Sequence, residues 1–164
     1  MEYTPKKLKE YYEHTLLNKP FLKARGLIID DDKLIVIGEK QPNGEVWYYL
    51  AGGGIEDGET PKQAVVREIM EETNINSSVV TLLHTSHERV KFSQDGYNID
   101  CKRNQYFYIC NYVNGEPKPE QSEVFIKKNR FIARIPFSDI DKIKTSKYFL
   151  AKAKDYIDAI SLTK

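Results

Sequence analysis

Three glutamates, Glu68, Glu71 and Glu72, lie within five residues of one another, and their spacing suits one kind of chemistry. At about 100° per residue of α-helix, they fall on a single acidic stripe roughly 100° wide. On an exposed helix, carboxylates one turn apart repel each other by roughly 0.2–0.5 kcal/mol per pair, a cost that a bound cation removes. Oxygen ligands without histidine or cysteine favour Mg²⁺ or Mn²⁺ over zinc. The stripe therefore predicts a site for a hard divalent cation.

The apolar residues of the same segment predict the helix that positions this stripe, over about 61–73. An apolar face spans roughly 60° to 200° of the helical wheel beside the acidic stripe, and it comprises Val65, Val66, Ile69, Met70 and Thr73. Thr60 and Pro61 are typical of an N-cap and a first helical residue. The glycines at 52–54 let the backbone approach a ligand closely and turn a carbonyl toward a metal.

The spacing of these residues resembles the signature of the Nudix hydrolases. Residues 53–75 read GGIEDGETPKQAVVREIMEETNI and keep every charged position of that signature, namely Glu59, Arg67, Glu68, Glu71 and Glu72. The segment departs from the family pattern at Asn74, where glycine is usual. A residue just after a helix C-terminus needs a positive φ, which Asn tolerates better than other non-glycine residues. A second departure is Ala51, where many members have proline.

The order of elements agrees with the fold that this resemblance implies. Strands on both sides of one long helix, with more helix at the end, indicate an α+β fold, an α/β/α sandwich with a mixed β-sheet between helices. Periodicity and turn residues predict helix 5–17, strands 23–29, 34–39 and 46–50, helix 61–73, strands 79–91 and 102–113 around a polar loop from Ser93 to Asp100, a loop at 114–122, strand 130–136 and helix 146–160. We expect a single Nudix hydrolase domain over residues 1–164, with an N-terminal helical extension at 1–20 and the Nudix box at 53–75.

The resemblance also implies a reaction, the hydrolysis of a diphosphate linked to another moiety. Glu71 and Glu72 are the expected principal metal ligands, and the carbonyl of Gly52 completes the protein's share. Glu68 either binds metal or accepts a proton from the attacking water. Arg67 pairs with Glu71 one turn on, or reaches back to brace the loop before the helix. We assign Glu68, Arg67 and Glu71 to catalysis, and Mg²⁺ (or Mn²⁺) as the cofactor that neutralises phosphate oxygens and activates water.

Four residues are candidates for binding the substrate. Arg25 on the first strand and Lys40 after the second could meet phosphates, if their side chains face the cleft. Alternation along the third strand sends Trp47 and Tyr49 to one face. There, either ring could stack on a nucleobase or belong to the core.

Acids on later segments are weaker candidates. Glu120 and Glu123 follow the second long strand, where some Nudix enzymes carry an extra ligand or base. Their alternative interpretation is a pair of acids on a solvated, proline-rich loop. Glu88 and Asp100 carry less weight still.

Composition limits the classes of function. The chain has 25 basic and 24 acidic residues, a net charge of +1, so no global basic field indicates binding to duplex nucleic acid. No apolar stretch approaches the ~20 residues of a membrane span, and the N-terminus lacks the apolar core of a signal peptide. We therefore expect a cytoplasmic protein, with Cys101 and Cys110 as reduced thiols.

These observations leave one leading hypothesis and two alternatives. The leading hypothesis is a Mg²⁺-dependent hydrolase that acts on a small-molecule nucleotide: a nucleoside triphosphate, an oxidised nucleotide, ADP-ribose, a nucleotide sugar or a dinucleoside polyphosphate. The first alternative is a catalytically silent Nudix-fold module that binds a nucleotide or a partner protein. The second is an enzyme that processes capped or triphosphorylated RNA, which would need a basic groove. A homodimer could supply specificity that no second domain provides.

Overall fold

The computed structural model describes residues 3–142, 154–155 and 157–158. Its elements are α1 (Pro5–Leu17), β1 (Phe21–Asp30), β2 (Lys33–Lys40), β3 (Val46–Tyr49), β4 (Ala51–Gly54), α2 (Pro61–Thr73), β5 (Asn76–Gln94), β6 (Tyr97–Asn114), α3 (Glu123–Lys127), β7 (Arg130–Pro136) and a 3₁₀ helix (Phe137–Lys142). None of the helices in these ranges is long and apolar enough to cross a membrane.

A seven-stranded mixed sheet forms the middle layer. Its strand order is β3-β2-β1-β6-β5, while β4 pairs with β1 and β7 pairs with β2. The pairing of β1 with β6 is parallel, and the other pairings are antiparallel. β1 contacts β2 only over Ile28–Asp30, because its first half, Lys23–Gly26, pairs with β4 instead. This division brings the glycines of β4 to the middle of the sheet.

Helices cover both faces of the sheet, as side-chain alternation along the strands requires. On one face, α2 packs Ala64, Val65 and Ile69 on a core from β1, β2 and β6. On the other face, α1 packs Tyr11 on Phe21, and their rings lie 4.8 Å apart. The α+β arrangement expected from the sequence is confirmed.

Local signals fix α2 tightly. The side chain of Thr60 accepts from the backbone of Gln63 while the side chain of Gln63 accepts from Thr60, so a reciprocal capping box starts the helix. Asn74 ends it with φ 61°, the left-handed conformation expected at this position. Underneath, a Cβ at Gly26 would lie 2.7 Å from Ile69 Cδ1, so glycine there lets the helix approach β1 closely. The helix is thus held in one position over the sheet.

One expectation about loops was wrong. The polar loop from Ser93 to Asp100 is mostly strand, because β5 and β6 continue to a tight turn at Asp95-Gly96. Phe92 pairs with Ile99 there, and both side chains pack beneath α1. This burial of apolar surface stabilises the extended strands. The sequence analysis predicted no element over the short helix α3. The expected helices at 5–17 and 61–73 and the strand at 130–136 are confirmed. The expected terminal helix at 146–160 lies mostly outside the described residues.

Candidate active site

The acidic stripe of α2 lies against the glycine strand β4. The backbone N–H of Gly52 donates to Glu72 Oε1 over 2.6 Å. The Glu68 carboxylate occupies the space beside Gly53, where a Cβ would lie 2.6 Å from Glu68 Oε1. Glu71 lies at the outer side of the stripe, with 51% of its side chain exposed. Two carboxylates therefore meet one stretch of backbone, and a side chain at Gly53 would displace one of them.

Arg67 ties the stripe to the loop that precedes α2. Its guanidinium donates to both carboxylate oxygens of Glu59, at 2.8 and 2.9 Å, and to the Gly54 carbonyl at 3.0 Å. The remaining nitrogen donates to Glu68 at 2.9 Å and to Glu71 at 3.2 Å. The sequence left two roles open for Arg67, and the structure shows both contacts at once. This residue fixes the loop and also holds two of the three acids of the stripe.

Burial makes the carboxyl groups of Glu68 and Glu72 harder to ionise. It raises the pKa of Glu72 to about 7, against the opposing effect of the Gly52 N–H, and the negative charge of Glu68 raises it further. Burial also raises the pKa of Glu68, although the hydrogen bond from Arg67 acts in the other direction. A cation would relieve this cost, because it favours the charged form of every carboxylate around it.

The donor set fits a hard divalent cation. Carboxylates of Glu68, Glu71 and Glu72 and the backbone of Gly52 are all oxygen ligands, the kind that Mg²⁺ and Mn²⁺ prefer. The absence of a side chain at Gly53 leaves the room in which the Glu68 carboxylate lies. Within the described residues, no three acidic, histidine or cysteine side chains are already gathered in metal-binding positions. Glu71 pairs with Arg67, so it would have to turn inward to join an ion.

The candidate substrate residues lie in different places. Arg25 is beside the acidic site, and its positive charge lowers the pKa of Glu72. It donates to Gln105 Oε1 at 2.9 Å and to the Leu50 carbonyl at 3.5 Å, so its guanidinium is partly engaged. Lys40 is exposed at the end of β2, away from any hydrogen bond or ion pair of its side chain within the described residues.

The two aromatic candidates lie on β3, at the opposite end of the strand order from β5. Tyr49 donates to Glu39 Oε2 at 3.3 Å, and Arg130 lies over its ring while donating to the other oxygen of Glu39 at 3.0 Å. Trp47 pairs with Glu39 across the β2–β3 ladder and is 41% exposed. Tyr49 is therefore committed to a structural cluster, and Trp47 is the more available ring.

The loop after β6 brings a residue to the site that the sequence ranked low. The backbone N–H of Glu120 donates to the Glu72 carbonyl at 3.2 Å, and that of Lys118 donates to the Thr73 carbonyl at 2.9 Å. Burial and the charge of Glu71 raise the pKa of Glu120. These contacts are made by backbone atoms, so no residue type signals them.

The first turn of α1 also lies near the acids, which the sequence did not predict. The charge of Lys7 lowers the pKa of Glu68, and that of Lys6 lowers the pKa of Glu120. In the sequence Lys7 lies 61 residues before Glu68, and Lys6 lies 114 residues before Glu120. The packing of α1 on the sheet, with Tyr11 against Phe21, brings these lysines near the acids.

Residues 20–152 match the model of the family that is described as the NUDIX domain. The chain therefore belongs to the NUDIX domain family. The match includes the glycine strand, the acidic helix and every strand of the sheet.

Three individual proteins illustrate the similarity. The chain is 36% identical over 77 residues to an ADP-ribose pyrophosphatase of Methanocaldococcus jannaschii, covering 47% of this chain and 46% of that protein. It is 40% identical over 65 residues to an 8-oxo-dGTP diphosphatase of Proteus vulgaris, covering 38% of this chain and 57% of that protein. The chain thus spans about half the length of these relatives. A NUDIX-family hydrolase structure from Clostridium perfringens shares the fold, with a TM-score of 0.62 at 16% identity over 87% of this chain and 99% of that one.

Proposed function

We propose that this protein is a Mg²⁺-dependent hydrolase that cleaves a diphosphate linkage in a nucleoside diphosphate derivative. The observation that carries the proposal is the meeting of Glu68 and Glu72 with the backbone of Gly52 and Gly53. Buried, like-charged carboxylates on a glycine strand are costly without a cation and suited to one. The names of the relatives, a pyrophosphatase and a diphosphatase, support the same reaction class.

The residues would divide the work as follows. Glu71, Glu72 and the Gly52 carbonyl would hold the ion, which when bound neutralises phosphate oxygens and makes its water more acidic. In an extended strand the N–H and C=O of one residue point to the same edge. The Gly52 N–H points at Glu72, which supports the proposal that its carbonyl serves the same ion.

Glu68 is the proposed proton acceptor. A water oxygen attacks phosphorus, the bond from phosphorus to the bridging oxygen breaks, and the proton of the water passes to Glu68. Burial raises the pKa of this carboxyl, which brings it closer to the value that a general base needs. Arg67 holds one oxygen of Glu68 at 2.9 Å, so it is a positioning residue for the base. A Glu68→Gln enzyme with near-native turnover would remove Glu68 from this role.

A panel of substrates tests the proposal. Phosphate and nucleotide release would be followed on nucleoside triphosphates, 8-oxo-dGTP, ADP-ribose, nucleotide sugars and dinucleoside polyphosphates, with Mg²⁺ or Mn²⁺ and with Glu71→Gln as control. We expect metal-dependent turnover of at least one class and its loss in the variant. No turnover on any member, with tight nucleotide binding retained, would favour the silent binding module instead.

A further inference from the structure

Three polar side chains form one row across the sheet, on the face away from α2. Lys23 on β1 pairs with Gln105 on β6, and Gln105 pairs with Ser86 on β5. Neighbours paired in this way point to the same face of a sheet. The hydroxyl of Ser86 is buried and has no hydrogen-bond partner within the described residues. We call Lys23, Gln105 and Ser86 together the polar row.

Arg25 fixes the orientation of the Gln105 amide. The Nε of Arg25 donates to Gln105 Oε1 at 2.9 Å. A guanidinium can only donate, so the amide atom that faces it must be the oxygen. The NH₂ group of Gln105 is therefore turned away from Arg25, and it meets no acceptor in the part of the chain that the structure describes. Because Gln105 is only 7% exposed, this leaves a nearly buried donor without an acceptor.

Lys23 is the second such group of the polar row. It is 6% exposed, and its Nζ lies 5.6 Å from the centre of the Phe21 ring. Among the described residues its nitrogen has no hydrogen bond and no carboxylate partner. Burial lowers the pKa of Lys23 to about 6. At neutral pH its amine is therefore mostly uncharged, and the lone pair is available as a nucleophile.

The charges around Lys23 are mostly positive. Arg25 follows it by two residues on the same face of β1, about 7 Å along the strand. Lys7 and Arg103 also act on Lys23 with positive charge, and Glu10 is the carboxylate that acts in the other direction. Glu10 is already paired with Lys7 at 3.1 Å. These surroundings disfavour a cation at this position and would stabilise an anion there.

We propose that Lys23 is a modification site, at which the amine forms a carbamate with dissolved carbon dioxide. The lone pair of Nζ attacks the carbon of CO₂ and a carbon–nitrogen bond forms. One carbon–oxygen π bond breaks, its electron pair stays on oxygen, and one proton of the amine passes to water. The product is an anion with two acceptor oxygens, which suit the NH₂ of Gln105, the hydroxyl of Ser86 and the charge of Arg25. One modification thus supplies the acceptors that the polar row lacks.

Carbon NMR with isotope-labelled bicarbonate near neutral pH tests the proposal. Bicarbonate supplies dissolved CO₂, and the measurement needs no turnover, so its result does not depend on the proposed hydrolysis. We expect a carbamate signal in the wild-type protein that is absent in Lys23→Met. The matched control is Lys9→Met, which removes an exposed lysine of α1 and should keep the signal. A wild-type spectrum that shows no carbamate signal beyond those of Lys23→Met would overturn the proposal.

A second variant covers the case in which Lys23→Met fails to fold. Gln105→Glu keeps an oxygen acceptor for Arg25 and places a carboxylate beside Lys23. That carboxylate pairs with the ammonium form of Lys23 and repels a carbamate. We expect the carbamate signal to fall about 10-fold or more. An undiminished signal in Gln105→Glu would place the carbamate elsewhere and overturn the proposal.

Thermal unfolding in bicarbonate gives an independent measurement. A group that attaches only to the folded chain stabilises it by mass action. At constant pH and ionic strength, we expect bicarbonate to raise the Tm of wild-type protein and of Lys9→Met, and to leave that of Lys23→Met unchanged. An equal rise in all three proteins would be an effect of the salt and would contradict the modification of Lys23.

Discussion

Gly52 and Glu72 are joined by a hydrogen bond of 2.6 Å from the backbone N–H to the carboxylate, across 20 residues of sequence. This contact closes the glycine strand onto the acidic helix. It also opposes the effect of burial on Glu72, because an N–H donor favours the charged carboxylate. The strand and the helix are therefore one structural unit, and changes in either should alter the geometry of the acidic site.

Gly53→Ala should disrupt this unit. A Cβ at Gly53 would lie within 2.6–2.8 Å of three atoms of the Glu68 carboxylate, so that carboxylate must move away from the strand. We expect Mg²⁺ affinity, measured by calorimetry, to fall about 10-fold or more, because the negative charge of Glu68 moves away from the proposed ion. Gly54→Ala is the matched control, because its Cβ would meet only the Phe21 ring at 3.5 Å. Equal Mg²⁺ affinity in the two variants would show that the space at Gly53 is not needed.

The pKa of Glu72 predicts how the metal-free protein responds to pH. Burial raises this pKa from its ordinary 4.5 to about 7. The folded state therefore holds a proton that the unfolded state has released, so stability falls as pH rises from about 4.5 through 7. In metal-free buffer we expect Tm to be higher at pH 6 than at pH 8, from this group.

Glu72→Gln provides the comparison for that prediction. The amide cannot ionise, so the variant should lose this part of the pH dependence and should melt higher than wild-type protein at pH 8 in metal-free buffer. Thermal unfolding in a chelator at pH 6 and at pH 8 measures both. If the wild-type and variant melting curves shift in parallel with pH, the pKa of Glu72 is not raised.

Arg67→Lys should weaken both the fold and the site. Lysine cannot reproduce the forked contact with both oxygens of Glu59 together with the Gly54 carbonyl and Glu68. We expect a loss of roughly 1–3 kcal/mol in the free energy of unfolding by urea, and lower turnover because Glu68 is no longer held. Arg89→Lys is a control that removes an exposed arginine fork on Asp100, where little change is expected. A similar small effect for both variants would contradict the bracing role of Arg67.

The signals that predict α2 and its acidic stripe are local in the sequence. Thr60, Pro61 and Asn74 start and end α2, and residues at fixed helical spacing set the acidic stripe. The pairing of β4 with β1 is a long-range contact, with Gly52 opposite Arg25, and nothing in either segment specifies that partner. The position of Arg25 beside the acidic site depends on this pairing. It could therefore be seen only in the folded chain.

Loops were the least predictable part for the same reason. Glu120 reaches α2 through a backbone N–H, which every residue except proline possesses. The extension of β5 and β6 to Asp95-Gly96 depends on the cover that α1 gives to Phe92 and Ile99. The polar residues of that region predict a loop, because the sequence alone does not show that α1 covers Phe92 and Ile99.

Metal-dependent turnover in Glu72→Gln tests the central claim most directly. Its matched control is Glu56→Gln, which removes an acid that is 70% exposed on the neighbouring loop. With the best substrate of the panel and saturating Mg²⁺, we expect Glu72→Gln to lose about 100-fold or more in kcat and Glu56→Gln to stay within about 3-fold of wild type. Turnover in Glu72→Gln that equals that of Glu56→Gln would contradict the assignment of the glycine strand and acidic helix as the catalytic site.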